Sequence, residues 1–138
     1  MGTESLKFEI YERGLLSPLR GHNLSSIESF VADLLLGASS AVPMDGARIA
    51  YEASARFDVE INERRVKDII RTLRKDHHFP ILARRKKPSG YWWCASKEEM
   101  KEFIETFKSQ ALDELHTLSK IVNENYPELA GQLKLEDL

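Results

Sequence analysis

At Pro80 the hydrophobic pattern of the chain changes from a helical period to a strand-like one. Before Pro80, apolar residues recur at steps of three and four, the spacing of a helix with one buried face. After it, two short runs rich in apolar and aromatic residues, 81–85 and 91–95, flank a loop that contains proline and glycine. Both residue types favour a reversal of the chain. The sequence therefore predicts several helices followed by a small β-hairpin, a mainly α fold of the α+β class.

Three helices are predicted before the hairpin. Ser25 and Glu28 have the spacing of a capping box and begin the first helix. Asp45 begins the second helix and Asn62 the third, because their side chains can accept hydrogen bonds from the unpaired amides of a first turn. The turn between the second and third helices is expected over residues 55–60, which include no glycine.

The third helix, expected over residues 62–76, combines an apolar face with a basic one. Its predicted core residues are Val66, Ile69, Ile70 and Leu73. Four cations recur at helical steps on the other side: Arg64, Lys67, Arg71 and Lys75. Glu63 and Asp68 interrupt this basic face.

Positive charge is concentrated in the middle of the chain. The net charge is −2, yet residues 62–95 contain 10 of the 20 lysines and arginines and only 3 of the 22 acidic residues. A basic face on one helix is common on solvated surfaces. A basic helix next to a basic hairpin tip, between two acidic flanks, favours binding to nucleic acid.

Residues 24–95 resemble the winged helix-turn-helix domain of biotin-operon-repressor-like regulators and of small phage or prophage proteins. The resemblance rests on the helical segment 66–74, on Pro-Ile at 80–81 entering the hairpin, and on Gly-Tyr-Trp at 90–92 leaving it. It implies a double-stranded DNA-binding protein, a transcriptional regulator of bacterial or phage origin.

The same resemblance implies which residues meet the DNA. Helix 62–76 would enter the major groove, and the wing, residues 84–90, would contact the backbone. The DNA-binding residues expected on this basis are Asn62, Arg64, Arg65, Lys67, Arg71, Lys75, Arg84, Arg85, Lys86 and Lys87.

A long helix is expected to follow the hairpin, over residues 96–126. It opens with a second capping-box spacing, Ser96 to Glu99, and would reach about 45 Å as one helix. Such a helix is longer than a small domain can cover, which favours a homodimer. The alternative is that the helix packs on the first helix and on the N-terminal segment. The residues expected at the dimer interface are Phe107, Ala111, Leu115, Leu118 and Val122.

The ends of the chain and its remaining residues are less specific. Residues 1–23 are an N-terminal extension with a possible edge strand at 6–11, and residues 127–138 are expected to form a loose tail. The single cysteine, Cys94, excludes an internal disulfide and suits a packing role. The chain has no signal-peptide pattern and no apolar run long enough for a membrane span, so a cytoplasmic protein is expected.

No enzyme active site is expected, because the sequence has no glycine-rich phosphate loop, no paired carboxylates and no serine–histidine–aspartate set. No cofactor, metal or small-molecule ligand is expected either. The competing interpretation is a winged domain that serves as a protein-interaction or replication-assembly module through its acidic long helix.

Overall fold

The computed structural model describes residues 17–107 and 112–132, so the possible strand at 6–11 lies outside the described residues. The architecture is mainly helical with one small antiparallel hairpin, as the sequence predicted. The elements are α1 (Ser26–Leu36), α2 (Gly46–Phe57), α3 (Glu63–Lys75), β1 (Ile81–Arg84), β2 (Gly90–Trp93), α4 (Lys97–Phe107), α5 (Leu112–Asn125) and a 3-10 helix (Pro127–Gln132).

The predicted starts of the first three helices are confirmed. Ser25 forms a complete capping box: its Oγ accepts from the Glu28 amide at 3.2 Å, and Glu28 Oε1 accepts from the Ser25 amide at 2.8 Å. Asp45 and Asn62 each accept from the amide three residues further on, at 2.8 and 2.9 Å. Each cap pairs an amide that the helix itself leaves unpaired.

The turn between α2 and α3 spans residues 58–62, so the expected turn at 55–60 was wrong. Asp58 ends α2 with φ 54°, a left-handed conformation that glycine more often supplies. Ser54 fastens the turn, since its hydroxyl donates to the Ile61 carbonyl at 3.2 Å and accepts from the Ile61 amide at 2.9 Å. Asp58 thus occupies the left-handed position where glycine is common, and the Ser54 hydroxyl holds the turn in place.

The β-hairpin separates two hydrophobic clusters. Ile81 lies opposite Trp93 and Leu82 opposite Trp92, and neighbouring residues of a strand face opposite sides of the sheet. The first cluster joins Ile81 and Trp93 to the buried faces of α1, α2 and α3, including Val31, Leu35, Ile49, Ala53, Val66, Ile69, Ile70 and Leu73. The predicted core face of α3 is therefore confirmed.

The second cluster lies on the other face of the hairpin. It joins Leu82, Trp92 and Cys94 to residues of α4 and α5, namely Met100, Ile104, Leu118, Ile121 and Val122. Cys94 is buried there, in agreement with the packing role expected for it.

A backbone pairing joins the segment before α2 to the hairpin. Met44 and Tyr91 exchange both amide–carbonyl hydrogen bonds at 2.9 Å, as in an antiparallel ladder. The approach is close: a Cβ at Gly90 would lie 2.7 Å from the backbone carbon and oxygen of Met44. Gly90 also has φ +139°, so this position requires glycine.

Residues 96–126 do not form one continuous helix, which corrects the prediction of a single long one. Lys97, at the start of α4, has its Nζ 3.8 Å from Glu128 Oε1, just after α5. The Tyr126 hydroxyl donates to Cys94 Sγ at 3.6 Å. These residues would be about 45 Å apart at opposite ends of one straight helix. The start of α4 and the end of α5 therefore lie at the same end of the molecule.

The second predicted capping box is present in one half only. Ser96 Oγ accepts from the Glu99 amide at 3.1 Å. The Glu99 carboxylate accepts instead from the indole Nε1 of Trp92 at 2.5 Å. Glu99, which was expected only to cap the helix, therefore also pairs the indole N–H of Trp92, a residue of the second cluster.

The expected dimer interface is wrong for the two of its residues whose side chains are described. Leu118 and Val122 are fully buried in the second cluster, because the apolar face of α5 covers the hairpin. Ala111 and the side chains of Phe107 and Leu115 lie outside what the structure describes. The homodimer itself stays a prediction.

The helices of the described segments include none with both the length and the apolar composition that crossing a membrane requires.

Candidate nucleic-acid interface

The outward face of α3 is basic. Burial of its apolar face leaves the four predicted cations exposed to solvent: Arg64, Lys67, Arg71 and Lys75. Arg71 Nη1 lies 3.9 Å from Asp68 Oδ1, and both side chains are more than half exposed. An ion pair this open to water is worth little and yields readily to a stronger anion.

Glu63 does not share the outward face, although its sequence position suggested an interruption there. Its Cγ lies 4.0 Å from where a Cβ at Gly46 would be, beside the first turn of α2. A carboxylate near a helix N-terminus is favourable because the helix dipole is positive at that end. Within α3, which the structure describes completely, Asp68 is then the carboxylate that remains among the cations.

Tyr91 lies where the hairpin meets α3. Burial raises the pKa of its hydroxyl, Arg74 lowers that pKa, and Glu63 raises it. The hydroxyl therefore stays protonated at neutral pH. Glu63 and Arg74 are therefore the charged residues of α3 that influence Tyr91.

The start of α3 carries two arginines in different surroundings from the rest of the face. Arg64 and Arg65 border an open groove of about 510 Å³ beside the turn, together with Val59, Glu60 and Asp68. Asn62 uses its side-chain oxygen to cap α3, so its first role is to fix the helix start. Arg65 borders this groove, and the lining also includes the carboxylates of Glu60 and Asp68.

The hairpin tip divides into one half-buried arginine, Arg84, and three exposed cations. Arg85, Lys86 and Lys87 are exposed, as predicted. Arg84 donates through Nη2 to the Ser40 carbonyl at 2.6 Å, through Nη1 to Ser40 Oγ at 3.3 Å, and through Nε to the Pro88 carbonyl at 2.9 Å.

Arg84 is therefore a structural clamp within the fold, and its contact with DNA stays a prediction. Its guanidinium carbon also lies 5.2 Å from the centre of the Trp92 ring. The rigid fork of donors fits backbone carbonyls on two segments at once. The sequence held a signal for this, because Arg84 shares a strand face with Leu82, and that face is covered by the second cluster.

Sequence reasoning did not identify two exposed residues of α2 as candidates for DNA contact. Arg48 is exposed and Tyr51 is 73% exposed, which is unusual for so large an aromatic side chain. They are three residues apart, so they share one side of the helix, opposite the buried Ala53. Arginine and tyrosine both donate hydrogen bonds to phosphate oxygens, which makes them candidates for backbone contacts.

Comparison with protein-family models, with curated proteins and with solved structures gives no significant match to this chain. Across residues 17–107 and 112–132, no group of three or more histidine, cysteine, aspartate or glutamate residues is placed to hold a metal ion.

Proposed function

We propose that this chain binds double-stranded DNA as a winged helix-turn-helix protein and acts as a transcriptional regulator. The observation that carries the proposal is the division of α3 into two faces. All four predicted apolar residues are buried, while Arg64, Lys67, Arg71 and Lys75 are exposed on the outward side. A helix held by one face and cationic on the other suits a DNA groove.

The surroundings of α3 support this proposal. Helix α2 precedes it through a five-residue turn that Ser54 fastens at Ile61, and the hairpin follows it after residues 76–80. With 13 residues, α3 is about 20 Å long, and a major groove about 12 Å wide admits an α-helix. The basic hairpin tip is the natural second contact in such an arrangement.

Each cation has an expected role. Arg64 and Lys67, near the start of α3, would reach base edges in the major groove. Arg71 and Lys75 would contact phosphates further along the helix. The exposed tip, residues 85–87, would contact phosphates on the backbone and add affinity without sequence preference.

The test begins with selection of a preferred duplex from a random pool. Binding of that duplex and of a random one is then measured by fluorescence anisotropy across a range of salt concentrations. Substitution of Arg64 and Lys67 by alanine should weaken binding of the selected duplex by about 1–3 kcal/mol for each lost base contact. Random duplex should be affected less.

The tip variant should behave differently. Replacing Lys86 and Lys87 by alanine should weaken both duplexes equally and should reduce the slope of log affinity against log salt by about 1.8. Lys101→Ala removes one exposed cation from α4 and serves as the control, with little change expected. If the folded protein binds no duplex even at about 50 mM salt, or if the control weakens binding as much as the α3 variant, the proposal fails.

The alternative is a winged domain that serves as a protein-interaction or replication-assembly module through the acidic surface of residues 96–126. The burial of Leu118 and Val122 concerns the apolar side of this region and leaves that alternative open.

A further inference from the structure

An open groove of about 530 Å³ lies between the end of α3 and helix α5, away from the start of α3. Lys75 and Asp76 border it from the α3 side, and His116 and Lys120 border it from α5. His78 lies between them, on the segment that leads into the hairpin. Its volume is within the range of small-ligand sites.

The charge of this groove is unbalanced. Arg74, Lys75 and Lys120 contribute three permanent positive charges, against one negative charge from Asp76 in the lining and one from Glu124, which pairs with His78. Arg74 and Lys75 alone would have an ordinary explanation, because cations at a helix C-terminus are favoured by its dipole. The dipole of α3 does not explain His116 and Lys120, because they belong to α5.

His116 and Lys120 are four residues apart, so they lie on the same side of α5. Both are exposed, and both border the same groove as the end of α3. Cations from two separate helices repel one another when they converge on a shared space. An anion in that space would turn the repulsion into attraction.

The wall of the groove is held in place by its own contacts. His78 Nδ1 lies 2.7 Å from Glu124 Oε1, and the His78 carbonyl accepts from Asn125 Nδ2 at 2.8 Å. These contacts fasten the segment after α3 to the last turn of α5. A groove with a fixed wall loses less entropy when it binds a ligand.

We propose that this groove binds a phosphate group, held by Lys75, His116 and Lys120. The phosphate has two possible sources, a backbone phosphodiester of bound DNA beyond the end of α3, or a small phosphorylated molecule. The first source rests on the proposed function and the second does not.

The first experiment tests free phosphate. The histidine ring signals of the full chain are followed by NMR while inorganic phosphate replaces chloride at constant pH and ionic strength. The His116 and His78 signals should shift and saturate, while those of His22, whose ring contacts His77 and Phe79, should not. Lys120→Gln should weaken the phosphate affinity at least fivefold, whereas Lys101→Gln should leave it unchanged.

The second experiment tests DNA phosphate. The salt dependence of random-duplex binding is compared for Lys120→Gln, for Lys101→Gln and for the unmodified chain. If the groove contacts the backbone, Lys120→Gln should reduce the slope of log affinity against log salt by about 0.9, the value for one lost contact. Both lysines are exposed, and thermal melts of the two variants should match that of the unmodified chain.

The outcomes separate the sources and the two proposals. If the histidine signals saturate with phosphate and only Lys120→Gln weakens the affinity, the groove binds free phosphate. If only Lys120→Gln lowers the slope of log affinity against log salt, the groove contacts the DNA backbone. Flat results in both experiments overturn the inference, even if the unmodified chain binds DNA. A chain that binds phosphate in the groove but binds no duplex contradicts the proposed function and leaves this inference standing.

Discussion

The two hydrophobic clusters on either side of the hairpin differ in how they are built. The first is made mostly by α1, α2 and α3, three helices with short connections and an apolar stripe each. The second takes residues from the hairpin and from two helices that follow it, and it closes only when α4 and α5 fold back. A sequence pattern therefore identifies a buried face but does not say what covers it.

The sequence of the hairpin indicates that both of its faces are covered. Residues 81–82 and 91–94 are apolar without interruption, and a strand exposed on one face would alternate instead. Ile81 and Trp93 supply one cluster, and Leu82 and Trp92 supply the other. A hairpin that is apolar on both faces requires a cover on both, and α4 with α5 covers the face that α1, α2 and α3 leave open.

The largest effect is expected from matched core truncations in the two clusters. Leu73→Ala and Leu118→Ala should each lower the free energy of unfolding by about 2–5 kcal/mol, because both side chains are fully buried. Urea unfolding measures this, and Val42→Ala at an exposed position should change little. If Leu118→Ala left the stability unchanged, the second cluster would not be a true core.

A smaller effect is expected where the clusters meet. Met44 packs against both clusters and pairs with Tyr91, and Gly90 makes that approach possible. Gly90→Ala should destabilise the chain by about 1–3 kcal/mol through its backbone conformation and the contact with Met44. A Cβ at Gly131 would meet nothing within 4 Å, so Gly131→Ala is the control. Equal melting temperatures for the two variants would argue against the close approach.

The polar contact of the second cluster should contribute less. Glu99→Gln keeps an oxygen acceptor for the Trp92 indole but removes its charge, which should lower the free energy of unfolding by about 1 kcal/mol. Glu98→Gln makes the same chemical change at the neighbouring exposed position and should have little effect. If the two variants have the same melting temperature, the interpretation of Glu99 is wrong.

The smallest effect on stability is expected at Asp58, in the turn between α2 and α3. Asp58→Gly should raise stability by up to about 0.5 kcal/mol, because glycine relieves a left-handed backbone but loses more chain entropy on folding. Asp76 ends α3 with φ −93°, so Asp76→Gly should bring no gain. A gain at Asp76 equal to that at Asp58 would mean that backbone conformation is not the cause.

Sequence reasoning succeeded where the determinants were local. The caps at Ser25, Asp45 and Asn62 and the buried face of α3 depend on residues within one or two helical turns of each other. It missed the structural role of Arg84 and the burial of Leu118 because their partners, Ser40 and the hairpin, lie far away along the chain. The expectation of one long helix failed for the same reason, since the contact of Lys97 with Glu128 cannot be read from periodicity.

The adjacent indoles of the hairpin have a spectroscopic consequence. The chain contains two tryptophans, Trp92 and Trp93, and they face opposite clusters. Trp93 packs near Phe79, while Trp92 lies beside the Arg84 cation and the Glu99 carboxylate, so their emission should differ. Replacing either one by phenylalanine leaves a single tryptophan, inside one cluster, which can be excited selectively over the four tyrosines. The molecule thereby carries its own pair of optical reporters, which can show whether its two halves melt as one cooperative unit or in sequence.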